Sequence, residues 1–358
     1  MRTFCLGAAA AACLATPVVA DHETVAKDHA PIGVMGDHMH DKGEIMFSYR
    51  FMRMNMEGSR IGTEGVSPEE IATTVPNRFF GAPMQPPTLR VVPTEMSMNM
   101  HMLGVMYAPA DWLTLMAMGS VVTKSMDHIT FQGGMGTTRL GEFTTETEGF
   151  GDTKLSGLVR LFDIEQGDVK HHAHINAGIS IPTGSITRTD DILTPMGATP
   201  SPRLPYPMQV GSGTVDFAPG VTYTGSSEIF SWGGQAMATI RAGDNDEGYA
   251  LGDVYEATAW AMFGPSPWWA VSGRAAFRAQ AAIDGIDPLI VAPVQTADPD
   301  NQGGDRLDLG VGANFAGQTG VIRGHRLAVE VLFPVYQDLN GPQLETDLTF
   351  SVGWQKAF

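Results

Sequence analysis

The sequence predicts an all-β fold: a closed antiparallel transmembrane β-barrel of about 12 strands with short periplasmic turns and long outer loops. Runs of alternating apolar and polar residues recur from Glu44 to the end of the chain, and the connections between them alternate between short and long. After residue 20, no stretch reaches the roughly 18 apolar residues that a membrane-spanning helix needs. Strands that cross lipid must close into a barrel, because lipid cannot satisfy free backbone amides.

The alternation defines the individual strands. On the first, Ile45, Phe47 and Tyr49 share one face, while Ser48 and Arg50 share the other. A soluble β-sandwich would show the same alternation and is the alternative fold. Aromatic residues beside the short connections favour the barrel, since they match an interfacial girdle. The predicted strands cover residues 45–56, 96–107, 113–124, 155–161, 173–181, 215–223, 230–240, 254–263, 269–279, 307–315, 327–333 and 348–354.

Residues 1–20 have the pattern of a secretory signal peptide, with Arg2 before an apolar stretch and a small residue, Ala20, at the cleavage position. A lipoprotein site at Cys13 is the alternative, although the large aliphatic residue expected three positions earlier is missing. Both cysteines lie in this segment, so the exported chain is expected to lack disulfides and thiolate metal sites. We therefore expect three parts: a signal peptide (1–20), an N-terminal leader (21–43) and an outer-membrane barrel (44–358).

The charge and the expected location define the partners. A net charge of −17 disfavours binding to nucleic acid. An outer-membrane barrel is expected to contact membrane lipid, lipopolysaccharide and the barrel-assembly machinery, and to admit a small-molecule solute. We find neither a G-x-S-x-G nor an H-E-x-x-H pattern, so the sequence does not predict an enzyme.

Methionine is concentrated near the N-terminus, with 16 of the 21 methionines between Met35 and Met135. They alternate on the first three strands, and on the first and third they share a face with polar residues, which favours the lumen over the lipid face; neither face of the second strand is decisive. A lumen lined by thioethers would suit hydrophobic or aromatic solutes, or a soft cation such as Cu(I), or the methionines could simply fill space. The residues predicted to line the lumen and contact solute are Arg50, Met52, Met54, Met98, Met100, Met102, Met116, Met118, Arg160, Arg274 and Glu330.

The leader contains a second candidate site, formed by His38, Met39 and His40. Imidazole and thioether together are ligands for copper, which would be the cofactor if there is one. The spacing matches no compact zinc motif, and solvated histidines in a flexible leader are the alternative. The leader could also fold into the barrel as a plug.

Three stretches resemble a known family: APIGVMGDHMHDKGEIMFSYR (30–50), YPMQVGSGTVD (206–216) and GHRLAVEVLFPVYQDLNGPQLE (324–345). The chain resembles, over nearly its whole exported length, the outer-membrane family labelled as the MetA pathway of phenol degradation. The resemblance implies a barrel distantly similar to hydrocarbon-transporting channels, and it assigns no catalytic residues. The sequence therefore predicts a channel for small, hydrophobic or aromatic solutes, with copper handling in the outer membrane as the alternative.

Overall fold

A computed structural model describes residues 24–82 and 84–358. The predicted signal peptide and His22 lie outside the described residues. Within these ranges, no helix combines the length and the apolar character that a membrane crossing requires.

The described residues form fifteen strands and one α-helix, α1 (Pro68–Thr74), together with five short 3₁₀ turns. The strands are β1 (Ile45–Gly62), β2 (Glu64–Val66), β3 (Val91–Ala110), β4 (Leu113–Phe131), β5 (Arg139–Phe150), β6 (Thr153–Gln166), β7 (Val169–Ile181), β8 (Asp216–Ser226), β9 (Phe230–Arg241), β10 (Tyr249–Ala250), β11 (Val254–Ser266), β12 (Trp269–Gln280), β13 (Asp284–Gly285), β14 (Gly304–Ala316) and β15 (His325–Ala357).

The main sheet closes into an antiparallel barrel. The order around it is β1, β3, β4, β6, β7, β8, β9, β11, β12, β14 and β15, and β15 pairs back with β1. The long β15 is folded on itself at Gly341, whose φ is +78°: its first half pairs with β14 and its second half with β1. Counted as two, its halves bring the barrel to twelve strands, so the predicted fold class is confirmed. Closure gives every strand a partner on both sides, as a sheet in lipid requires.

The outer surface of the barrel is mostly apolar, as contact with hydrocarbon requires. Leu103 is 67% exposed and Val311 is 62% exposed, although both lie in the middle of strands. Aromatic side chains next to the short turns are also exposed, including Trp112 and Trp268. These positions match the predicted interfacial girdle.

Two regions predicted as long loops consist largely of strand instead. Within 125–151, β4 continues to Phe131 and pairs with β5; within 334–345, the two halves of β15 continue to their turn. Both regions lie at the end of the barrel that carries the long connections, which is the outer end in barrels of this type. The strands there extend beyond the lipid, so both faces can be polar and the alternation that identifies a strand is lost.

The outer mouth is covered by loops. The connection between β7 and β8 reaches into the barrel, where Leu204 and Met208 pack against Met96 and Met126 of the wall. Lys124 in β4 fixes this loop, since its Nζ donates to the carbonyls of Pro207 at 2.7 Å and Gln209 at 2.5 Å. The loops therefore narrow the lumen from outside.

Arg90 holds the outer loops together, and its replacement tests this role. Its fully buried guanidinium donates to the carbonyls of Ala72 (3.0 Å), Gln132 (2.6 and 3.0 Å) and Gly136 (2.9 Å). In Arg90→Met these carbonyl acceptors lose their partner, and each buried group left without a hydrogen bond destabilises the folded loops by about 1–3 kcal/mol. We expect trypsin to cleave after Arg139 at least tenfold faster.

The control for this measurement is Arg53→Met, because Arg53 is exposed on the outside of β1 and bonds only to the side chains of Asn55 and Asn99. Equal cleavage rates in the two variants would show that Arg90 does not organise the loops.

Candidate functional site

The part of the leader that the structure describes lies inside the barrel. Residues 24–43, called the plug from here on, contain one 3₁₀ turn and are otherwise irregular. Ala26, Ala30 and Val34 are buried against wall residues that include Trp260 and Met262. The plug enters beside the short turn of β11 and β12, where the Ala26 amide donates to the Pro267 carbonyl at 2.8 Å. It therefore fills the periplasmic half of the lumen.

Polar side chains of the wall satisfy the backbone of the plug. Asn314 donates to the carbonyls of Ala26 (3.0 Å) and His29 (2.8 Å). Further wall donors are Arg326 to Ala30, Gln235 to Met35 at 2.9 Å, and His174 Nε2 to Gly36 at 2.9 Å. A segment without regular structure needs such partners, because buried carbonyls without hydrogen bonds are costly. The polar inner wall is thus matched to the plug.

One buried ion pair anchors the middle of the plug. Arg274 Nη1 lies 3.0 Å from Glu330 Oε2, and their side chains are 11% and 1% exposed. The same Glu330 oxygen accepts a hydrogen bond of 2.9 Å from the Gly33 amide. A Cβ at position 33 would come within 2.2 Å of both the guanidinium and the carboxylate, so a side chain there would push the ends of Arg274 and Glu330 away.

Methionines form a continuous wall across β1, β3 and β4. Met46 lies opposite Met106, and Met106 lies opposite Met116, so all three point to the same side of the sheet. That side is the lumen. Arg50, which shares the face of β1 with Met46, donates to the plug carbonyl of Val34 at 3.4 Å. Further opposite pairs are Met52 with Met100, Met54 with Met98, Arg50 with Met102, and Met56 with Met96.

A cavity separates this methionine wall from the plug. The wall contributes Met102, Met116 and Met118 to its lining, and the plug contributes Asp37 and His38. The other residues that line it are Met35, Gly36, Met46, Ser48, Arg50, Gly104, Met106 and Gln355. Thioethers thus dominate one side of the cavity, while imidazole and carboxylate groups face them.

The opposite wall carries charges. Glu256 and Arg278 pair at 2.9 Å with side chains that are 50% and 38% exposed, so this part of the lumen is wet. Arg306 lies 3.1 Å from Asp308, and Arg241 pairs with Asp216. The lumen is therefore two-sided, with a soft apolar wall and a charged, hydrated one.

Three plug histidines lie close together. The rings of His29 and His38 are 4.6 Å apart between centroids, and those of His38 and His40 are 4.9 Å apart. Burial lowers the pKa of His29 well below its ordinary value and also lowers that of His40. Both rings are therefore neutral at pH 7, the form in which imidazole binds metals.

All predicted lumen residues lie on the inner face. Arg160 lies inside, opposite His174 and 3.3 Å from Asp163, and the register of β6 shifts only after it. Of the predicted metal residues, His38 lies beside His40 and also beside His29 and Asp37, whereas Met39 packs against Met46, Met106 and Leu158. The role of Asp37 was missed, because the sequence does not show which residues a plug turn brings together.

Comparison with known proteins supports the fold. No protein-family model and no curated protein matches the chain, so the family label drawn from the three stretches is not confirmed. Among solved structures, the chain is similar to an outer membrane channel from Pseudomonas putida F1, with 14% identity, a TM-score of 0.58, and 90% of this chain and 98% of that chain covered.

Two further solved structures also match at lower scores. One is a Pseudomonas aeruginosa FadL homologue, with 10% identity and a TM-score of 0.41 over 88% of this chain and 90% of that chain. The other is the P. putida toluene transporter TodX, with 10% identity and a TM-score of 0.36 over 89% of this chain and 91% of that chain. The chain has the fold of an outer-membrane β-barrel that encloses a lumen.

Proposed function

We propose that the protein is an outer-membrane channel for small hydrophobic solutes, including aromatic ones, and that its plug restricts passage. The observation that carries the proposal is the methionine wall. At least five sets of directly opposite residues on β1, β3 and β4 include a methionine, and together they extend along the inner face from the plug to the loops at the outer mouth.

Thioether side chains suit such solutes for a physical reason. Methionine is flexible and polarizable, so it adapts to apolar ligands of different shape and makes favourable contacts with aromatic rings. Polar residues would instead hold water that an apolar solute must displace. A wall of methionine beside a hydrated wall can accept solutes that are mainly apolar but carry one polar group.

The similarity to solved structures is consistent with this proposal. The structure similar at a TM-score of 0.58 is named an outer membrane channel, and it matches over nearly its whole length. The fold alone does not identify a solute. The solute class proposed here depends on the side chains of the lumen.

The test of this function is a charge placed in the methionine wall. The full barrel is reconstituted into vesicles with an outer leaflet of lipopolysaccharide, because apolar solutes cross such a leaflet slowly. The uptake of naphthalene is then compared with the uptake of glucose. In Met100→Glu the new carboxylate must be desolvated as the solute passes, so we expect naphthalene uptake to fall about tenfold while glucose uptake does not fall.

Met100→Leu is the matched control, since it keeps the volume and apolar character of the side chain and is expected to retain most of the uptake. If vesicles with the unmodified protein take up naphthalene no faster than protein-free vesicles, the proposed function is rejected.

Copper handling is the second candidate function. It is favoured by the proximity of His38 to the methionine wall across one cavity. It is disfavoured by the burial of the plug, because wall side chains hold the segment that would have to capture copper in the periplasm.

A further inference from the structure

The plug contains a cluster of metal-ligating groups that the channel function does not use. One ligand atom each from His29, Asp37 and His38 lie within 4.8 Å of one another. Ligands around a tetrahedral metal at about 2.1 Å are roughly 3.4 Å apart, so small side-chain movements would assemble the site.

The ring nitrogens of the cluster are oriented as metal ligands usually are. His38 Nδ1 donates to Asp37 Oδ1 at 3.0 Å, and His40 Nδ1 lies 3.2 Å from Glu44 Oε2. In a neutral ring this leaves Nε2 as an acceptor. A carboxylate behind the histidine is the common second partner in metal sites, because it fixes the tautomer and the ring orientation.

Three buried ring nitrogens of this cluster have no hydrogen-bond partner within the described part of the chain: His29 Nδ1, His38 Nε2 and His40 Nε2. A buried polar atom without a partner costs free energy, and three in one short segment call for an explanation. A bound cation would satisfy at least two of them.

We propose that His29 and His38 ligate a transition metal that closes the plug on itself, that Asp37 orients the His38 ring from behind, and that Cu²⁺ is the ion this site binds most tightly. Imidazole ligands follow the usual order of affinity among divalent metals, in which Cu²⁺ ranks highest. His29 and His38 are joined by a chain segment whose ends already meet, since Asp37 Oδ2 accepts a bond of 2.8 Å from the Ala30 amide.

The metal would control the plug. Leaving the lumen requires the irregular segment to change shape, and an ion that ties residue 29 to residue 38 resists that change. The bound state is therefore the closed state, and removal of the metal favours opening. This consequence for passage rests on the proposed channel function, whereas binding itself does not.

The binding test uses the full barrel in detergent, stripped with EDTA and titrated with Cu²⁺. We expect a dissociation constant of micromolar or below and an electron paramagnetic resonance signal split by two imidazole nitrogens. Asp37→Asn should weaken binding by about 10–100-fold, as loss of such carboxylates does elsewhere. His29→Ala and His38→Ala should each remove the two-nitrogen pattern.

The matched control is His172→Ala. His172 also pairs with a carboxylate, Asp163 at 3.1 Å, but its side chain is 44% exposed and lies outside the plug. Its removal should leave both affinity and spectrum unchanged. Unaltered binding in His29→Ala and His38→Ala would overturn the site, provided that heat-dependent gel migration shows folded barrels.

A second readout tests control of the plug. Cu²⁺ should reduce the frequency of openings in planar bilayers, EDTA should restore it, and His38→Ala should respond to neither. If Cu²⁺ binds with the expected spectrum but openings do not change, the site stands and the control of passage is refuted. Failure of the channel function would appear separately, as a lack of conductance after the plug is deleted.

Discussion

Deletion of residues 24–40 is expected to raise single-channel conductance in planar bilayers by about an order of magnitude, since pore radius and lining determine conduction. The plug fills the periplasmic half of the lumen, and its contacts with the wall include at least six side-chain hydrogen bonds to its backbone. The barrel itself should survive the deletion, because closure depends on the pairing of β15 with β1.

The opposite change locks the plug in place. An ideal Cβ at Gly353 would lie 2.6 Å from Ile32 Cδ1, so Ile32→Cys combined with Gly353→Cys places two thiols within reach of a disulfide. Under oxidising conditions this variant should conduct less than the unmodified protein, and a reductant should reverse the effect. A folded deletion variant that conducts no more than the intact protein would show that the plug does not restrict passage.

The sequence predicts the barrel wall well because every second side chain of a strand points into the lumen. Once Ser48 and Arg50 identify the inner face of β1, Met52 and Met54 must lie on it as well. Strand pairing then brings Met98 and Met100 to the same side. Local periodicity is enough for this inference, and no distant contact has to be known.

The arrangement of the plug could not be predicted in this way. Its partners are far away in the chain: Glu330 binds Gly33 across 297 positions, and Arg326 binds Ala30 across 296. The segment has no regular period, so nothing local shows which of its groups face each other. The same reason explains why the sequence did not show that Met39 faces the wall methionines while its neighbour His38 lies beside His29.

The second large effect is expected at the ion pair beneath the plug. In Glu330→Gln the buried Arg274 loses its counter-charge, and breaking a buried pair in this way costs about 3–5 kcal/mol. Glu330 also accepts a hydrogen bond from the Gly33 amide, so the substitution mainly destabilises the state in which the plug is bound in the lumen. Hydrogen exchange of the peptide around Gly33 should accelerate about a hundred- to a thousandfold, because each 1.4 kcal/mol corresponds to about tenfold.

Glu256→Gln provides the comparison, because it removes the same charge from the same lumen. The pair of Glu256 with Arg278 is half exposed, and such pairs contribute about 0–1 kcal/mol. Exchange around Gly33 should therefore change less than about fivefold in this variant. If both variants accelerate exchange equally, lost luminal charge rather than the buried contact explains the effect. If only Glu330→Gln does so, the buried pair holds the plug, and the same variant should open the channel more often than Glu256→Gln.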